Sequence, residues 1–106
     1  MKTFDIRRKD IVRLRAGLTD TDKTRIAKFA KRISKRNEMQ SYARQVLDHP
    51  VQLQTFKVES CEQTKKVPTE YAVIQTAKNI FVPIQTRYLE LVSRKHKHPL
   101  TNIFQD

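Results

Sequence analysis

With 106 residues, 38% of them hydrophobic, and a single glycine, the chain is long enough for one domain with a modest core and carries little low-complexity sequence. Its 22 Lys and Arg against 11 acidic residues give a net charge of +11, which favours polyanionic partners and says nothing about fold. One cysteine, Cys61, excludes an intrachain disulfide scaffold, no apolar run is long enough to span a bilayer, and the charged N-terminus does not read as a signal peptide, so a cytoplasmic protein is expected.

In chain order, the first helix is expected over residues 5–16, where Ile11, Leu14 and Leu18 have helical spacing and Gly17 supplies a left-handed stop. Thr19 and Asp22 have capping-box spacing and open a second helix. Its body, Lys23 to Arg36, holds seven basic residues and no acidic one. Ile26, Phe29, Ala30 and Ile33 form its apolar seam, with Lys28, Lys31 and Lys35 almost opposite. A third helix follows from an Asn37 cap, with Met39, Tyr42, Ala43, Val46 and Leu47 on one stripe, and Pro50 limits it; a continuous rod with the second helix is the alternative.

Residues 51–58 fit a strand or a short helix equally, since Val51, Leu53 and Thr55 alternate until Phe56 breaks the register. Residues 59–68 read as a polar connector. Tyr71, Val73, Ile74 and Ala77 return to helical spacing, and Pro83 opens a last helix with Ile84, Tyr88, Leu91 and Val92 inward, ended by Pro99. The expected fold is therefore all-α: a compact single-domain bundle of about four to five helices, with basic helices over 5–48, a second helical pair over 69–96 and a tail over 99–106.

The charge is concentrated. Residues 1–49 hold 14 basic and 6 acidic residues; residues 50–106 hold 8 and 5. Arg25, Lys28, Lys31, Arg32, Lys35 and Arg36 are the candidate phosphate contacts, extended by Arg13 and Arg15 if the first two helices form a hairpin. Residues 74–91 invite comparison with a helix-turn-helix that would offer Gln85, Thr86 and Arg87 to bases, but Phe81 stands where its turn wants glycine, and two core helices fit better. His96 and His98 lie among basic residues and lack further ligands, so neither a metal site nor a cofactor is expected. Cys61 and the serines lack a nucleophile context, which argues against an enzyme.

The functional expectation is a non-catalytic nucleic-acid-binding protein of regulatory or accessory type, duplex DNA favoured over RNA, with a homodimer suited to two-fold sites. The alternative is a helical interaction module (immunity protein, adaptor or inhibitor) that binds an acidic protein, with Leu89 exposed and Ile103 and Phe104 available for contact.

Overall fold

The computed structural model describes residues 6–48 and 54–94. The chain runs β1 (Ile11–Leu14), α1 (Asp20–Ser34), α2 (Met39–Asp48), β2 (Phe56–Gln63), β3 (Glu70–Ala77), β4 (Ile80–Gln85), a one-turn 3-10 helix (Thr86–Tyr88) and β5 (Leu89–Ser93). Two helices and a five-stranded antiparallel sheet replace the expected helical bundle. The expected hairpin of basic helices goes with it, because the first of those helices is strand β1.

Of the expected helices, the second and the third form. Thr19 Oγ1 accepts from the Asp22 amide and the Asp22 carboxylate accepts from the Thr19 amide, a reciprocal cap at the start of α1. Lys35 turns left-handed at φ 58° and ends the helix, so α1 and α2 are not one rod. The amphipathic seams pack as their spacing requires. Ile26, Ala27 and Ala30 of α1, and Met39, Ala43, Val46 and Leu47 of α2, all enter the core.

The sheet order is β4-β3-β2-β1-β5. Inward residues are matched across it: Val12 faces Phe56, Val58 faces Ile74, Ile74 faces Val82, Ala72 faces Ile84, and Leu14 faces Leu89. All of these side chains are buried in one core with the helix seams. The two edge strands, β4 and β5, are joined by three residues. A flat sheet would hold them about 19 Å apart at the usual strand spacing, whereas one 3-10 turn rises about 6 Å. The sheet therefore curls so that the end of β4 and the start of β5 approach each other at this corner. Bulges in β2, β3 and β5 supply local bending.

Helix α1 packs along β4 and against α2. It straddles that edge: Ile26 and Ala30 reach the interior, while Phe29 meets Tyr71 edge-to-face at 5.3 Å on the outer side of β3. This placement buries Val82, Pro83, Ile84 and Gln85 in succession.

That burial explains why 69–79 and the described part of 83–96, residues 83–94, do not form the expected helices. A strand covered on both faces shows a continuous apolar run, and such a run does not display alternation. Ala72 and Ile74 point inward, while Tyr71 and Val73 occupy the half-covered outer face. The β3–β4 hairpin turns through Lys78 and Asn79, with Asn79 left-handed at φ 65° where glycine is more usual. Residues 59–63, expected as connector, are the second half of β2. Residues 51–53, the tail over 99–106, His96 and His98 lie outside the described residues. Leu89, expected to be exposed, is fully buried.

One buried charge holds the sheet's centre to its last strand. Asp10, with no exposure, accepts from Arg94 through Nε at 3.0 Å and through a second guanidinium nitrogen at 3.0 Å, and from the Arg7 amide at 2.8 Å. The chain reaches this position through Lys9 at φ 73°. Lys9 and Asp10 continue the pairing of β1 with β2, because the Lys9 amide donates to Val58 and the Val58 amide donates to Asp10.

Candidate nucleic-acid interface

Helix α1 presents its cations in two rows. Arg25, Lys28 and Arg32 recur at i, i+3 and i+7, bracketing Phe29, and so border the line where α1 meets the sheet. Lys31 and Lys35 are exposed farther round the helix. None of these five side chains makes an ion pair among the described residues.

The inner row forms one wall of a groove of about 590 Å³, lined by Arg25, Lys28, Phe29 and Arg32 from α1, Val67 and Thr69 from the β2–β3 loop, and Gln85 and Arg87 from the end of β4 and the 3-10 turn. Among the described residues no carboxylate lines it. The groove continues into a smaller recess of about 360 Å³ that shares Thr69, Gln85 and Arg87 and is flanked by Glu70.

Each wall carries an arginine braced on an aromatic ring. The Arg32 guanidinium lies 5.3 Å from the Phe29 ring centre. That of Arg87 lies 5.1 Å from the Tyr88 ring centre and donates to the Tyr88 hydroxyl at 3.2 Å. Such stacking limits rotamer freedom while leaving the charge accessible. The loop rim is held by its own hydrogen bonds: the Thr64 hydroxyl donates to the Val67 carbonyl at 2.6 Å and accepts from the Thr69 amide at 3.0 Å. Val67 stands on this rim with 77% of its surface exposed.

The floor contains an unsatisfied polar group. Gln85 is 5% exposed, and its Oε1 is buried without a hydrogen-bond partner. A buried acceptor left unpaired costs free energy, so a native structure that keeps one invites a functional explanation.

The remaining candidates lie elsewhere. Arg36 pairs with Glu38 at 2.6 Å, and this contact raises the Arg36 pKa above its ordinary value. Glu38 is held below the usual carboxylate range, first by a backbone hydrogen bond and then by Arg36. Arg13 pairs with Glu90 across β1 and β5. The Arg15 amide donates to Tyr88, and its side chain does not line the groove. Thr86 is buried, with its hydroxyl 3.5 Å from the Glu70 carbonyl, and borders the smaller recess alone. Sequence reasoning thus singled out the α1 cations and Gln85 and Arg87 as separate sets; the sheet brings them to one groove. Phe29, Val67 and Thr69 carried no signal for that role in the sequence.

Among the described residues no cluster of three His, Cys, Asp or Glu side chains forms, and no helix is long and apolar enough to cross a membrane. No protein-family model matches this chain, and comparisons with curated proteins and with solved structures give no match.

Proposed function

We propose that the protein binds nucleic acid, with α1 gripping phosphates through Arg25, Lys28, Lys31, Arg32 and Lys35 and the 3-10 turn adding Arg87. The observation that carries this reading is the run of ion-pair-free cations on α1 beside a groove with no acidic residue, among those described, in its lining. Phosphates that meet such a surface release condensed counterions, so binding weakens steeply with salt. The role is non-catalytic and accessory.

Replacing Lys28, Arg32 and Lys35 together with Ala tests it. All three are exposed, so helix content by circular dichroism stays unchanged. The slope of log affinity against log salt becomes shallower by about 2 on single strands and about 3 on duplexes. An unchanged slope refutes the reading. The acidic-protein alternative loses the support of Leu89, which is buried, and Ile103 and Phe104 lie outside the described residues.

A further inference from the structure

We propose that the groove between α1 and the β4–3-10 corner takes an unpaired nucleobase of a single strand, with Gln85 reading its edge and Arg25, Lys28, Arg32 and Arg87 holding the flanking phosphates. The inference rests on the nucleic-acid reading and makes it specific.

Three features converge on this ligand. The first is chemical: the groove is cationic, yet its floor holds Gln85, whose Oε1 is closed to solvent and has no donor among the described residues, so a turn of the amide that brings this oxygen to the groove breaks no hydrogen bond. A free phosphate or a carboxylate offers only acceptors and leaves that oxygen unsatisfied. The ligand must carry negative charge and, a few ångströms away, a hydrogen-bond donor on a part that can enter a recess. A nucleotide has both, through its phosphate and the amino or imino groups of its base. A glutamine amide, with donor and acceptor side by side, suits a base edge.

The second is geometric. Gln85 is buried beneath the rims formed by α1 and the β2–β3 loop. In a duplex the base edges stay in the stack and cannot descend to it; an unstacked base can. The volume of about 590 Å³ falls within the range of sites that enclose a small ligand.

The third is the placement of planar groups. Arg32, stacked on Phe29, and Arg87, stacked on Tyr88, line the groove from opposite walls, and exposed Val67 completes the rim. Guanidinium planes and apolar edges of this kind receive unstacked bases in single-strand recognition. Glu70 flanks the adjoining recess and disfavours phosphate there, so the backbone is directed along the α1 side.

The test is fluorescence anisotropy at fixed salt with four 12-nucleotide homopolymers, as RNA and as DNA, together with a mixed-sequence duplex and poly-glutamate. It uses the full chain and its Gln85→Leu variant. The expected result is tighter binding of single strands than of the duplex, and a preference of about tenfold for one base over the weakest. Gln85→Leu abolishes that preference, so that the four homopolymers bind alike. The RNA and DNA arms tell which sugar is accepted.

Equal binding of all four homopolymers, a preference that survives Gln85→Leu, or duplex bound as tightly as single strands overturns this proposal while the nucleic-acid reading stands. No salt-sensitive binding to any nucleic acid, or tighter binding of poly-glutamate, overturns both. If the variant does not fold, competition by the four mononucleotides against the unmodified protein decides: the same base order supports the proposal, and equal competition overturns it.

Discussion

Asp10 is the position where one atom-scale change is expected to cost most. Its carboxylate is inaccessible to solvent and takes two hydrogen bonds from Arg94 and one from the Arg7 amide. Asp10→Ala removes the buried acceptor shared by two nitrogens of Arg94, whose side chain is only 21% exposed, and by the Arg7 amide. Removing one member of a buried pair costs about 3 to 5 kcal/mol. The partial exposure of Arg94 allows some rehydration, which places the cost near about 3 kcal/mol. Against a typical domain stability of about 5 to 15 kcal/mol, that is a large fraction. For a domain of this size it corresponds to a fall in Tm of about 12 to 20 °C. Urea unfolding followed by circular dichroism measures it directly, and an unchanged m-value confirms that the folded state is intact. A double-mutant cycle with Arg94→Met then isolates the pair, with an expected coupling of at least about 1 kcal/mol. A loss below about 1 kcal/mol for Asp10→Ala, or a coupling near zero, refutes the argument.

Two further outcomes follow from local chemistry. Thr19→Ala removes one half of the reciprocal cap on α1 and lowers stability by about 1 kcal/mol in the same urea assay; no change refutes the role of the cap. Tyr71 has its pKa raised, first by burial and then by Glu62, its register partner on β2. The fold therefore favours the neutral phenol. Its contribution is complete below the unfolded value of about 10 and fades as pH rises through the folded value. Tyr71→Phe should flatten the alkaline loss of stability that sets in as pH rises past about 10, and identical pH profiles for the two proteins contradict this.

The helices were legible in the sequence because each advertises itself locally. Thr19 and Asp22 announce a start, and the seams of α1 and α2 hold the helical period without interruption. The strands were hidden for two reasons. Helix α1 covers the β4 edge, so Val82 through Gln85 are buried one after another and the period of two is lost. Three left-handed backbone positions are filled by Lys9, Lys35 and Asn79, so turns lacked the glycine that usually marks them. Gly17, taken as the stop of a first helix, instead turns at φ 80° between β1 and α1.

The cations of the groove were legible for the same reason as the helix that bears them. Their convergence with Gln85 and Arg87 was not, since it depends on β4 running beside α1 and ending in a 3-10 turn. The structure also separates Arg13 and Arg36 from that set by giving each an acidic neighbour, one across the sheet and one in the α1–α2 turn. A sequence shows charge along a line, whereas pairing is settled by what the fold lays alongside it.

Strand β1 sits between β2 and β5, and its Arg13 meets a glutamate 77 positions later. During synthesis, α1 and α2 can form while one side of β1 still lacks its neighbour. That side is completed only when β5 has left the ribosome. Contacts between such distant positions slow folding and leave an open edge in the nascent polypeptide. Truncation just before Leu89 would therefore remove more than a peripheral strand: it would expose the hydrogen-bonding edge of β1 and leave Asp10 without Arg94.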